Sequence, residues 1–262
     1  MIFIGLLTMG GLGLFFATVL AIAAEKLKVE EDHRVEQVNE ALPGLNCGAC
    51  GQAGCHDLAE KIVAQGNTDN LKCPPGGAEV EEAIAEVLGI AAGETVKRRA
   101  VINCGGGNGL ADDKADYSGV KTCAADELVA GGHKLCSFGC LGHGDCVTVC
   151  PFDAIYIGEN GLPVVIEEKC TACGLCVDAC PRNIIDLVSC SNRTVVACNS
   201  HDRGPTVRKA CKVGCIGCMI CVKQSPDAYV VENLLAKRIY DKDDLAAEAG
   251  MIKCLTKCIV KL

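Results

Sequence analysis

The sequence predicts an α+β chain: several small modules built around metal–sulfur cages, behind one apolar helix that spans a membrane. Three observations predict it. Of 262 residues, 22 are cysteine, while tryptophan is absent and aromatic residues make up 3% against 30 glycines. Such a chain cannot fill one large apolar core, and sulfur must supply the stability that a core supplies elsewhere. The cysteines fall into groups with short internal gaps, and the first 24 residues carry no charged side chain. A net charge of −8 excludes nucleic acid as partner, because phosphate binding needs a basic surface.

The opening run, MIFIGLLTMGGLGLFFATVLAIAA, is long enough to cross a bilayer, which takes roughly 20 apolar residues as a helix. Ala21, Ile22 and Ala23 form the Ala-x-Ala step of a signal peptide, but the basic n-region is missing and the apolar run exceeds a usual h-region. The anchor reading is preferred. Gly10, Gly11 and Gly13 would let a neighbouring membrane helix approach closely. Lys26, Lys28 and Arg34 follow the helix with nothing basic before it, which favours the bulk of the chain on the cytoplasmic side of a bacterial inner membrane.

Residues 25–100 form the first expected module. NCGACGQAGC and KCPPGG place Cys47, Cys50 and Cys55 close together, with gaps of two and four residues, and Cys73 as one distant ligand position. Four such thiolates can surround zinc or an iron–sulfur cluster, and spacing alone leaves both open. Between them HDLAEKIVAQGN predicts a helix ended by Gly66, and AEVEEAIAEVLGI after them has helical spacing with an acidic face.

The most specific signal lies in the second module, residues 101–190. CTACGLCVDACP gives Cys170, Cys173, Cys176 and Cys180 followed by Pro181, the C-x2-C-x2-C-x3-C-P run of bacterial ferredoxins, in which three sulfurs hold one four-iron cluster and the fourth serves its neighbour. Upstream, CSFGCLGHGDCVTVCPFDAI supplies Cys136, Cys140, Cys146, Cys150 and Pro151. Aligned on Cys-Pro, His143 stands where a cysteine belongs, and Cys136 is the expected replacement, with His143 as the rival ligand. One cluster then takes Cys136, Cys140, Cys146 and Cys180, the other Cys150, Cys170, Cys173 and Cys176. AIYIG and GLPVVIEEKC read as the strands of a hairpin.

Residues 191–262 repeat the theme in degenerate form. KACKVGCIGCMICVKQSPDAY contains Cys211, Cys215, Cys218 and Cys221, with Ser225-Pro226 in place of Cys-Pro. The positions that should begin a second run fall at Asp244, Ala247 and Gly250, and only the last position, Cys254, keeps its sulfur. Cys215, Cys218, Cys221 and Cys254 are therefore the expected ligands of one retained cluster, its partner having been lost. Cys104, Cys123, Cys190, Cys198, Cys211 and Cys258 are left over. They are read as buried thiols in a reducing compartment, with a further cluster as the alternative. VINCGGG and LVSCSNR look like equivalent leaders of a duplicated unit, with Cys136 matching Cys211. CGGGNG lacks the Gly-Lys-Ser/Thr of a phosphate loop, and no dinucleotide fingerprint is present, so no NAD or flavin site and no catalytic residue is expected in this chain.

The uncharged helix, CGACGQAGC...CPPGG, GCLGHGDCVTVCPFDAI and CTACGLCVDACP, in that order, resemble the B subunit of the Rnf complex over nearly the whole chain, in the longer form with a C-terminal ferredoxin-like module. The resemblance implies that Cys47, Cys50, Cys55 and Cys73 bind a 4Fe-4S cluster rather than zinc, for about four clusters in total. It also implies the role of an electron-transfer subunit of a translocase: electrons from soluble ferredoxin pass through 4Fe-4S clusters, with other membrane and flavin-bearing subunits, towards NAD, coupled to Na+ or H+ translocation. A basic docking patch for ferredoxin is expected around Arg203, Arg208, Lys209 and Lys212, or around Arg98 and Arg99. Two other readings stand beside this one: a zinc-binding or other cysteine-rich, membrane-tethered interaction protein, and a secreted disulfide scaffold should the first 24 residues be cleaved.

Overall fold

A computed structural model describes residues 2–26, 32–68, 70–91, 93, 96–241 and 244–262. Helix α1 (Ile2–Lys26) is the one helix among the described residues long and apolar enough to cross a membrane. Phe3, Leu12, Leu14, Phe15, Phe16 and Leu20 along it are all exposed, so nothing described packs against it. Lys28, one of the orientation-setting lysines, lies outside the described residues.

The first module packs three helices around a small core. Helix α2 (His33–Ala41) starts where the Asp32 carboxylate accepts from the Arg34 amide. Sequence periodicity does not reveal this helix, because it offers only Val35 and Val38 as buried apolar residues. Helix α3 (Cys55–Gln65) ends at Gly66 in the left-handed conformation, as the sequence predicts, and α4 (Gly77–Leu88) ends the same way at Gly89. Leu58, Ile62 and Ile84 meet Val38 in the buried centre.

The remainder is two copies of one plan. In the first, β1 (Arg98–Ile102) pairs antiparallel with β4 (Ile185–Ser189), and β2 (Ile155–Ile157) with β3 (Pro163–Val165) as the expected hairpin. Between them sit the short helices α5 (Cys123–Leu128), α6 (Asp145–Thr148) and α7 (Leu175–Asp178). In the second, β5 (Thr194–Val196) pairs with β8 (Ile259–Lys261), and β6 (Tyr229–Glu232) with β7 (Leu235–Arg238). Helices α8 (Gly204–Ala210), α9 (Ile220–Gln224) and α10 (Asp244–Ile252) complete it.

The positions that align with cysteines of the first copy but carry other residues do structural work. Asp244 accepts from the amides of Arg193 and Thr194 at 2.7 and 3.1 Å. The Ala247 carbonyl accepts from the buried Tyr229 hydroxyl at 2.9 Å. Gly250 lies so close to the Tyr229 ring that a Cβ would meet it at 2.6 Å. Tyr229 occupies the register position of Ala154, which in the first copy borders a cysteine-lined cavity. The aromatic ring fills the room that the first copy leaves open.

Candidate metal centres

Cys47, Cys50, Cys55 and Cys73 converge on one cavity of about 280 Å3. Cys55 is the first residue of α3, and its amide donates to Asn46 Oδ1 at 2.8 Å. A Cβ on Gly54 would meet that same Oδ1 at 2.8 Å, so a side chain there would displace the Asn46 carbonyl from the Cys55 amide. Burial pushes the Cys73 thiol up to about 11, and neighbouring Cys55, Cys50 and Cys47 push the same way.

Cys150, Cys170, Cys173 and Cys176 line a second cavity of about 310 Å3. The Ala100 amide donates to Cys170 Sγ and the Ala154 amide to Cys150 Sγ, each at 3.4 Å. Burial, with Cys173 and Cys170 beside it, pushes Cys176 up to about 12.

The third cavity, about 390 Å3, is lined by Cys123, Cys140, Cys146 and Cys180. Cys136, grouped with the last three on spacing, is not brought here; it lines a different cavity, and Cys123 takes the place. The cause is Asp145 at the start of α6, whose carboxylate accepts from the amides of Cys123 and Ala124 at 2.8 and 3.0 Å and so pins the start of α5 over the cavity. His143 is turned elsewhere. Its Nε2 lies 2.9 Å from the fully buried Asp126 carboxylate, which also accepts from His133 Nδ1 at 2.5 Å. Burial works to raise the Asp126 carboxyl, but the hydrogen bonds of His133 and His143 outweigh it and hold it below the usual carboxylate range.

Cys215, Cys218, Cys221 and Cys254 line a cavity of about 330 Å3, and Cys258 joins them, its Sγ 3.6 Å from that of Cys254. Hydrogen bonding from the Cys258 thiol lowers Cys254 to about 5 and Cys215 to about 6, and the same two bonds drive Cys258 itself upward. Sequence reasoning missed Cys258 because it lies outside any motif; it directly precedes β8.

The donor sets fit a polynuclear group better than a single ion. Tetrahedral zinc, with Zn–S near 2.3 Å, draws its sulfurs to about 3.8 Å from one another. Among the described residues, the group whose ligand atoms all fall within 4.8 Å is Asp126, His133 and His143, not any set of cysteines. The thiols instead stand apart around room for a larger body, with backbone N–H donors aimed at several of them. All 22 cysteines are free thiols, which removes the disulfide scaffold. Arg99, one half of an expected docking pair, is also corrected: it is buried, 3.0 Å from Glu167 Oε2, and donates to the carbonyls of Cys190 and Asn192. Arg203, Arg208, Lys209 and Lys212 are exposed around α8.

Comparison with known proteins agrees with this chemistry. An Fe-S cluster family matches residues 42–75, and the 4Fe-4S dicluster domain family matches residues 138–185. The chain is 46% identical to the B subunit of the Na(+)-translocating ferredoxin:NAD(+) oxidoreductase complex of Acetobacterium woodii, over 96% of this chain and 75% of that protein. It is 41% identical to the B subunit of the ion-translocating oxidoreductase complex of Methanosarcina acetivorans, over 96% of this chain and 95% of the relative. The B subunit of a proton-translocating ferredoxin:NAD(+) oxidoreductase complex of Clostridium ljungdahlii is also 41% identical, over 97% of this chain and 88% of its own length.

Proposed function

The chain belongs to the family of B subunits of ion-translocating oxidoreductase complexes, and on that premise we propose that it accepts electrons from reduced soluble ferredoxin and delivers them towards NAD held elsewhere in the complex. It is an electron-transfer subunit of a membrane complex. The observation that carries the reading is the set of thiol-lined cavities on one polypeptide, none of which, among the described residues, brings three sulfurs within 4.8 Å of one another as a zinc site would.

Cys47, Cys50, Cys55 and Cys73 hold the first cluster in this reading, and Cys150, Cys170, Cys173 and Cys176 the second. Cys123, Cys140, Cys146 and Cys180 hold the third. Cys215, Cys218, Cys221 and Cys254 hold the fourth, with Cys258 against them. Bound there, 4Fe-4S clusters supply one-electron donor and acceptor sites. The protein's own part is to fix and tune them. Amide donors such as those of Ala100 and Ala154 stabilise negative charge on sulfur and so raise the potential, while burial of the cages lowers access of water.

The pumped ion, Na+ or H+, is handled by other subunits, because the membrane-crossing stretch of α1 before Glu25 has no ionisable side chain. The chain crosses once, with its cysteine modules on the cytoplasmic side. The exposed group Arg203, Arg208, Lys209 and Lys212 is the surface offered to an acidic ferredoxin.

The test uses the oxygen-protected chain, assayed for iron and mixed with reduced ferredoxin while visible absorbance is followed. Iron-rich material that bleaches on mixing supports the reading. Metal-poor or zinc-loaded material, or iron-rich material that stays oxidised, rejects it. Reversing Arg208 and Lys209 to glutamate is expected to slow bleaching several-fold at low salt and little at high salt.

A further inference from the structure

A further cysteine-lined cavity, about 490 Å3, adjoins the third site, with which it shares Cys140 alone among the sulfurs. It lies where the two copies of the fold meet, and Cys104, Cys136, Cys198 and Cys211 line it. These four include Cys136, which the ferredoxin spacing assigned elsewhere, and three of the cysteines read as spare buried thiols.

Each copy contributes two of them, from equivalent places. Cys104 follows β1 by two residues and Cys198 follows β5 by two. Cys104 Sγ accepts from the amide of Cys140 at 3.3 Å, and Cys198 Sγ accepts from the amide of Cys215 at 3.2 Å. Cys140 and Cys215 are the matching first cysteines of the two internal runs, and Cys136 and Cys211 each precede them by four residues. The four thiols are thus two equivalent pairs, one from each copy, lining one cavity.

The surroundings are built to hold this arrangement. The Gly105 amide donates to the Ala197 carbonyl at 2.9 Å, and the amides of Asp112 and Lys212 donate to the carbonyls of Ala210 and Leu110 across the junction. A Cβ on Gly106 would meet Cys211 Sγ at 3.1 Å and Cys104 Sγ at 3.8 Å, so the backbone runs between two sulfurs where a side chain would crowd them. Arg182, buried, donates to the carbonyls of Cys136 and Gly139 at 2.7 and 2.8 Å and locks the loop that carries Cys136. Lys134, also buried and paired with Asp113 at 2.8 Å, lines the cavity and suits a group of net negative charge.

We infer that Cys104, Cys136, Cys198 and Cys211 hold a fifth 4Fe-4S cluster at the junction of the two ferredoxin-like modules. The inference rests on the reading of the other cysteine sets as 4Fe-4S sites. Its place gives it a role: the Cys136–Cys140 loop ties it to the Cys123 site, and the Cys211–Cys215 loop ties it to the C-terminal site. A centre here would stand between the two modules on a one-electron path, since residues of both line the cavity.

The experiment counts iron and acid-labile sulfide in the anaerobically reconstituted full-length chain, beside the Cys104→Ala/Cys211→Ala variant, with paramagnetic resonance of both after reduction. About twenty irons in the wild type, falling by about four in the variant with loss of one spectral component, is the expected result. About sixteen irons in the wild type overturns the fifth site and leaves the four-site reading standing. Equal iron in both proteins also overturns it. Wild-type protein that takes up no iron sinks the parent reading itself. Should the variant fail to fold, the wild-type count still decides, and Cys211→Asp supplies a milder probe: a three-iron signal in the oxidised protein supports the site, and an unchanged spectrum with full iron overturns it.

Discussion

Cys123 reaches its cavity because one carboxylate, Asp145, accepts from two amides at the start of α5 while the Thr122 hydroxyl accepts from the Ala125 amide at 3.2 Å. The helix start is fixed, so the sulfur is fixed. Cys190 shows the opposite case: its amide and carbonyl serve Lys97 and Arg99, and its sulfur lines none of the five cysteine-lined cavities. Cys123→Ala is therefore expected to remove about four irons per chain, and Cys190→Ala none, by iron assay of anaerobic protein. Equal loss in both, or in neither, would reject the assignment of Cys123. The local runs Cys47–Cys50 and Cys170–Cys173–Cys176 were legible in the sequence because ligands within a few residues of one another need only a tight loop. Cys123, Cys258 and the four junction thiols were not. Their sets come from distant segments, and only tertiary packing decides which sulfur faces which.

Strand β1 and the segment before the Cys170 loop are joined to the second copy by a charged strut. Glu167 accepts from Arg99 at 3.0 Å and from Arg193 at 2.6 and 3.1 Å, and Arg99 is almost wholly buried. Hydrogen bonding from Arg193 first, then the charges of Arg99 and Arg193, holds the Glu167 carboxyl below its usual range against the opposing pull of burial. Glu167→Gln keeps an acceptor but removes the counter-charge of the buried Arg99, and is expected to cost about 2–3 kcal/mol in thermal or denaturant unfolding. A group whose pKa falls on folding contributes fully above its unfolded value, about 4.3, and loses that contribution as the pH drops through the lower folded value. The gap between wild type and variant should therefore be flat across the neutral range, well above that unfolded value. A gap that opens or closes there would show that another group sets the energetics. Hairpin β2–β3 was readable from alternating apolar residues and turn glycines. The pairing of β1 with β4 and of β5 with β8 was not, because each partner lies a whole module away.

At the scale of the molecule, a duplicated plan carries two histories. The first copy has two cysteine-lined cavities in its ferredoxin-like module, while in the second Tyr229 packs against α10 where the first copy has one of them. The lost cysteines were visible in the sequence, but the replacement was not, since an aromatic shortly after Ser225 reads as an ordinary strand residue. Helix α1 stands outside this plan. Its described large apolar side chains are exposed, and the core of the first module begins only at Val35. None of the five cysteine-lined cavities includes a residue before Pro43. Removing residues 1–26 should therefore leave cluster content untouched and move the chain from the membrane to the soluble fraction, since burial of about 20 apolar residues in lipid is what holds it there. Fractionation with an iron count on each fraction checks both halves together. A truncated chain that stays with the membrane would show that docking to other subunits holds it instead, and a truncated chain short of iron would show that α1 supports a cage it does not touch.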